Sequence, residues 1–93
     1  MYVGYARVST SSQNLDNQID QLKKAGCEKI FSEKRSGKNE ADRKEFNIMM
    51  DFVREGDILF ITKLDRLARS VIDLQNIAKY LEDKSVDLKV IQQ

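Results

Sequence analysis

Tyr2 to Gly26 reads YVGYARVSTSSQNLDNQIDQLKKAG, and this stretch decides the fold. Tyr2 to Val8 is a short apolar run with β-branched and aromatic residues, the pattern of a buried strand. A polar stretch from Ser9 to Ser12 follows without a break. Leu15, Ile19 and Leu22 then recur at helical spacing, and Gly26 stops the helix. A strand that runs straight into a helix is the first half of a β-α-β unit.

The rest of the chain continues the alternation. Lys29 to Ser32 is a second short strand. Glu33 to Asp42 is polar, contains Gly37 and reads as a loop. Phe46, Met49, Met50 and Val53 mark a second helical stripe, closed by Gly56. Ile58 to Thr62 is a third strand. Leu67, Val71, Leu74, Ala78 and Leu81 form the longest stripe, and Val86 to Ile91 is a fourth strand. The order β-α-β-α-β-α-β predicts an α/β fold. Its sheet is open, mainly parallel and four-stranded, with right-handed crossovers and helices on both faces. No internal repeat, linker or low-complexity tract interrupts it.

Composition narrows the chemistry. At 93 residues the chain is one domain or part of one. A net charge of +1 gives no overall basic field, so any polyanion site must be a local cluster. No apolar run is long enough to span a membrane, and no signal peptide opens the chain. Cys27 is the single cysteine, which excludes an internal disulfide, fits a reducing cytoplasm and reads as a small core residue. The absence of histidine rules out a Ser-His-Asp triad within this chain and argues against a zinc site. Gly37-Lys38 is not a P-loop, because Ser32 stands where glycine is needed and Asn39 where Ser or Thr is needed. The acidic residues are scattered, with no pair of carboxylates for a two-metal phosphodiesterase. Met49 and Met50 read as core filler.

In an open α/β sheet the site forms beyond the carboxyl ends of the strands. Arg7-Val8-Ser9 ends the first strand. The segment with Lys34, Arg35, Lys38 and Arg43 follows the second, and TKLDRLARS, Thr62 to Ser70, follows the third. These segments bring a hydroxyl, several guanidinium groups and a carboxylate to one edge. Arginine presents a planar, permanently charged fork that matches phosphate oxygens. Several arginines around one hydroxyl suit a phosphodiester whose charge spreads outward in the transition state, and they lower the cost of a serine alkoxide. Arg66 and Arg69, three apart, are expected to share one face at the start of a helix. Asp65 is placed to orient a guanidinium or handle a proton. Taken singly, each feature also has an ordinary reading: Ser9 to Ser12 as a helix cap, the arginines as a solvated face.

The segment YARVSTSSQNLDNQ, Tyr5 to Gln18, resembles the start of the serine recombinases, the resolvase and DNA-invertase family. The resemblance continues through SGKNEADRKEF and VREGDILFITKLDRLARS and spans essentially the whole chain. It implies site-specific DNA recombination in which Ser9 attacks a DNA phosphodiester, leaving a 5′-phosphoserine linkage and a free 3′-hydroxyl. By the same resemblance Arg7 contacts the scissile phosphate. Arg43 reaches it from the loop after the second strand. Asp65, Arg66 and Arg69 lie against it, and Gln13 and Gln18 shape the substrate site. The family reaction needs no metal and no cofactor, because the covalent bond conserves the phosphodiester energy. The implied partners are DNA and, in the full-length parent, further copies in a dimer or tetramer, with no membrane. The implied setting is the cytoplasm of a bacterium, with the gene on a mobile element.

There are two departures from the family pattern. Phe52 stands where some members carry a lysine. The family's catalytic domain also continues past the fourth strand into a long dimer helix with another arginine, and a helix-turn-helix domain follows. Residues 1–93 are therefore expected to be an amino-terminal part of the catalytic domain, inactive alone. The alternative is a catalytically silent module that binds a phosphate-bearing ligand or dimerises with a full-length recombinase.

Overall fold

The computed structural model describes residues 1–8, 12–34 and 43–92, and for 12–14 the backbone alone. The order of elements is β1 (Tyr2–Val8), α1 (Ser12–Lys24), β2 (Lys29–Lys34), α2 (Lys44–Phe52), β3 (Ile58–Ile61), a 3₁₀ turn (Leu64–Arg66), α3 (Val71–Asp83) and β4 (Asp87–Val90). The four strands form one sheet in the order β2-β1-β3-β4, and every pairing is parallel.

The strand order explains where the helices go. The chain steps from β1 to β2 in one direction, then crosses back over β1 to reach β3 and β4. Crossovers of one hand that run in opposite directions must lie on opposite faces of the sheet. Two core clusters result. On one face Leu15, Ile19 and Leu22 of α1 pack with Ala6 and Phe60. On the other, Phe46, Met49 and Met50 of α2 and Ile77 and Leu81 of α3 pack with Val3, Tyr5, Phe31, Leu59 and Ile61. Val3 and Tyr5 thus face one way and Ala6 the other, so β1 is buried on both sides, as a central parallel strand should be.

Gly4 lets α1 come close to the sheet. A Cβ there would sit 3.1 Å from both Leu22 Cδ1 and Cys27 Sγ. Gly26 ends α1 in the left-handed region, at φ 99°. The Gly26 amide donates to the Lys23 carbonyl and the Cys27 amide to the Leu22 carbonyl, the paired bonds of a Schellman motif.

The sequence stripes hold for α1 and α2 and shift for α3. Its buried residues are Ile77 and Leu81, with Leu74 half-buried, whereas Val71 and Ala78 are exposed. Leu67 is buried, but it belongs to the turn ahead of the helix. The expected stripe continued one apolar spacing across a helix start that Ser70 sets: its hydroxyl accepts from the Asp73 amide at 3.0 Å.

β2 is longer than its apolar run suggests. It reaches Lys34, pairing with Val8, and carries Glu33 into the core. The Tyr5 hydroxyl donates to Glu33 Oε2 at 2.5 Å, and Glu33 Oε1 accepts from the Glu45 amide at 3.0 Å. The carboxylate therefore serves two needs at once. It satisfies a buried phenol and caps the amino terminus of α2, where the helix dipole favours negative charge. Burial, then the bond to Glu33 and its charge, push the Tyr5 hydroxyl well above its ordinary value, against a smaller opposing pull from Arg43 and Arg7.

Replacing Tyr5 by phenylalanine should leave one oxygen of a buried carboxylate without its donor. The expected loss is about 1.5–3 kcal/mol, the range for hydrogen bonds to charged groups, read as a lower midpoint in urea. The wild-type phenol resists ionisation in the fold. Its contribution is complete below its ordinary value near 10 and is lost as pH rises above that toward the folded value. The alkaline fall in stability should therefore be shallower in Tyr5→Phe, checked by urea titrations at about pH 8 and about pH 11.

Candidate active site

The crevice forms where β1 and β3 part. Their ladder pairs Tyr2 with Ile58, Val3 with Leu59 and Gly4 with Phe60, and goes no further. β1 itself continues to Val8 alongside β2. The chain leaves β1 toward one side of the sheet and β3 toward the other, the topological switch at which open α/β sheets bind their ligands.

Gln18, on α1, fills the edge that β3 vacates. Its Oε1 accepts from the Arg7 amide at 3.3 Å, and its Nε2 donates to the Arg7 carbonyl at 3.1 Å. The side-chain amide supplies one donor and one acceptor, as a neighbouring strand would. Gln18 is buried and bound to main chain, so it holds the end of β1.

Beyond β3 the chain turns sharply through Leu64–Arg66, with Leu67 and Ala68 buried beneath. The Leu64 carbonyl accepts from both the Leu67 and Ala68 amides at 3.0 Å, which tightens this turn. Two arginines from elsewhere end on its carbonyls. Arg7 Nη2 donates to the Asp65 carbonyl at 2.8 Å, and Arg43 Nη2 to the Leu67 carbonyl at 2.5 Å. Residues distant in sequence thereby meet around Asp65, Arg66 and Arg69.

The Arg43 side chain is well enclosed, only 11% exposed. Its guanidinium lies 3.8 Å from the centre of the Phe46 ring, and Nη1 is 3.4 Å from Asp73 Oδ2. Its buried Nε has no hydrogen-bond partner among the described residues. Asp65 contributes chiefly its carbonyl. Its carboxylate is 74% exposed and 3.9 Å from Arg66 Nε, a loose pairing that holds neither group firmly.

The expected helical face for Arg66 and Arg69 is not found. α3 begins at Val71, so both arginines precede it. They border different hollows. Arg66 lines a polar one of about 190 Å³ with Gln18, Gln21, Thr62 and Lys63, and Arg69 an apolar one of about 280 Å³ with Leu64, Ala68 and Leu74. The reason is that the 3₁₀ turn ends at Arg66 and α3 starts only at Val71, so no continuous helix carries both arginines.

Ser9 and Gln13 are the two expected site residues that remain. Ser9 lies outside the described residues, one position beyond β1, as do Arg35 and Lys38. Gln13 lies in α1, with its side chain outside the described part. Phe52 packs edge-on against Phe31 at the end of α2 opposite Arg43, with ring centres 5.4 Å apart. Cys27 is partly buried, and burial pushes its thiol up to about 11, which makes it a poor nucleophile. Glu33 and Asp73 were not among the expected site residues. Asp73 had a signal, since Ser70-x-x-Asp73 is a capping-box pattern. Glu33 had none, since it extends an apolar strand with a charge.

The arrangement defines an α/β domain with guanidinium groups gathered beyond the carboxyl ends of its central strands. Residues 2–93 match the family described as Resolvase, N terminal domain, and the chain belongs to that family. It is 45% identical over 92 residues to the Transposon Tn917 resolvase of Enterococcus faecalis, covering 99% of this chain and 50% of that protein. It is 40% identical over 93 residues to the Transposon Tn552 DNA-invertase BinR of Staphylococcus aureus, covering 100% of this chain and 48% of that one. The crystal structure of a resolvase family site-specific recombinase from Streptococcus pneumoniae superposes with a TM-score of 0.81 at 27% identity, over 97% of this chain and 70% of that chain. The chain thus spans about half the length of these curated relatives. No helix among the described residues is long and apolar enough to cross a membrane.

Gln18→Leu removes both bonds to the Arg7 peptide while keeping comparable volume. It should speed hydrogen exchange of the Arg7 amide and lower stability by about 1–3 kcal/mol, the penalty for buried polar groups left unpaired. Unchanged Arg7 protection would mean that β1 holds its end without α1.

Proposed function

We propose that this domain breaks and rejoins DNA strands in a site-specific recombinase, with Ser9 as the nucleophile. One observation supports this above others. Arg7 from β1 and Arg43 from the start of α2 donate to the carbonyls of Asp65 and Leu67, in the segment that carries Arg66 and leads on to Arg69, and Ser9 follows the end of β1 in sequence. A hydroxyl beside converging guanidinium groups suits phosphoryl transfer, where positioning and charge stabilisation carry most of the catalysis.

In the reaction, the Ser9 oxygen attacks phosphorus and loses its proton. The bond from phosphorus to the 3′-oxygen breaks, and that oxygen takes up a proton to leave as a hydroxyl. The 5′-phosphate stays on Ser9. Attack by a 3′-hydroxyl on this linkage reverses the step and joins the strands, so each bond broken is replaced by one of similar energy. Arg7, Arg43, Arg66 and Arg69 neutralise the non-bridging oxygens. A main-chain carbonyl sets the plane of the Arg7 and Arg43 forks, each with five donors. To the exposed Asp65 carboxylate we assign the taking or return of a proton. Gln18 acts by holding the strand end, and Gln13 is assigned to the substrate site with it.

DNA is the proposed partner, with pairing of recombinase copies in the whole protein. The setting proposed is the cytoplasm of a bacterium that carries a mobile element. To residues 1–93 we assign the cleavage chemistry alone. The isolated domain, with a net charge of +1, is assigned neither specific recognition of a recombination site nor recombination by itself.

In a recombinase carrying this domain, Ser9→Ala should abolish the covalent protein–DNA adduct and leave site binding largely intact. An adduct trapped with Ser9→Ala would remove Ser9 from the mechanism. Arg66→Lys and Arg69→Lys keep the charge and lose the fork, and each should slow single-turnover cleavage by about 10²-fold, the usual worth of one oxyanion donor. Wild-type rates in both would return these arginines to the solvated surface.

A further inference from the structure

We propose that Asp73 is a positioning residue that fixes Arg43 for the reaction and links it to the backbone of Arg69, a role whose catalytic consequence rests on the strand-cleavage reading above. A single carboxylate oxygen, Asp73 Oδ2, receives two segments of chain. It accepts from Arg43 Nη1 at 3.4 Å and from the Arg69 amide at 3.0 Å. Its own amide is tied to the Ser70 hydroxyl at 3.0 Å, so the carboxylate stands on a capped first turn of α3 and not on a mobile loop.

Arg43 needs such a partner. A guanidinium that is 11% exposed has lost most of its hydration and is costly unless paired. The Phe46 face and the Leu67 carbonyl each satisfy part of it, but neither carries a negative charge. Among the described residues, Asp73 is the acid within ion-pair reach of Arg43. A planar fork held at one nitrogen by a carbonyl and at another by a carboxylate has its plane and its direction defined. The arginine side chain is long and starts at the residue preceding α2, so without these two anchors its head has several rotamers to choose from. The bond from the Arg69 amide to the same oxygen fixes the backbone from which Arg69 projects. Asp73 thereby sets two of the proposed phosphate ligands relative to each other while touching no substrate itself.

A purely structural Asp73, serving only as part of the α3 cap, would behave differently, and the two roles separate in two measurements. The first uses the chain as it stands. In ¹⁵N-labelled protein, Asp73→Asn should speed exchange of the Arg43 Nε proton by about tenfold or more, within the coupling range measured for contacting residues. Asp73→Glu keeps the charge and should restore most of the protection. Ser70→Ala, which weakens only the cap, should leave the Arg43 signal close to wild type. Equal Arg43 exchange in wild type and Asp73→Asn would overturn the proposal, as would loss of protection in Ser70→Ala as large as in Asp73→Asn. If Asp73→Asn does not fold, the Asp73→Glu and Ser70→Ala arms decide it alone.

The second measurement is a double-mutant cycle on covalent adduct formation in a recombinase carrying this domain. Asp73→Asn should slow the adduct by about tenfold when Arg43 is present and add little once Arg43→Ala has been made. Equal slowing in both backgrounds would show a general folding effect and overturn the positioning role. Absence of any adduct in the wild type would instead defeat the cleavage reading, and the Arg43 exchange measurement would still decide whether Asp73 positions that side chain.

Discussion

The hydrogen-bond ladder between β1 and β3 stops at Gly4, while β1 runs on to Val8 with only β2 beside it. This early parting follows from the order of connections. The chain leaves β1 for one flank of the sheet and later leaves β3 for the other, so among the described residues no strand bridges the gap between their carboxyl ends. An unpaired strand edge inside a fold cannot be left bare, because buried peptide groups without partners are costly. Gln18 resolves this with a side-chain amide, which mimics a strand over one residue and leaves the rest of the gap open. The place of the crevice and the firmness of its floor both trace to that one substitution of side chain for backbone.

Gathering cations at one edge raises a second problem, since like charges repel and guanidinium groups resist burial. The fold meets it with carbonyls and two carboxylates. The turn after β3 offers its carbonyls to Arg7 and Arg43, and Asp73 offers charge. Glu33 sits beneath, bound to Tyr5 and to the first turn of α2, and so fixes the helix whose N-cap is Arg43. Such a network needs no excess of positive charge over the whole chain, which is why a net charge of +1 is compatible with a local polyanion site.

The class of fold and the alternation of elements were legible in the amino-acid sequence. The apolar runs Tyr2–Val8 and Ile58–Ile61 and the stripes of Leu15, Ile19, Leu22 and of Phe46, Met49, Met50 are local signals, because burial on a strand or a helix imposes its own period. Gly26 as a helix stop is equally local. The family resemblance lay in contiguous motifs and was legible for the same reason. The α3 stripe misled because Val71 and Ala78 keep helical spacing while facing solvent, and spacing alone does not say which of two adjacent apolar arcs meets the core.

Everything that joined distant residues was decided by the tertiary structure. Arg66 and Arg69 looked like a helical pair, yet the helical turn that carries Arg66 ends there and α3 begins only at Val71, so they border different hollows. Gln18 was expected to shape the substrate site, and it is the structure that shows its side chain bonded to the Arg7 peptide. Glu33 looked like the first residue of a loop and is a buried carboxylate beneath the site. Asp73, which follows Ser70 by a capping-box spacing, reaches Arg43, 30 positions away. Local periodicity records which face of an element is buried. It holds no record of which buried donor meets which acceptor, because that depends on where the crossovers place elements far apart along the chain.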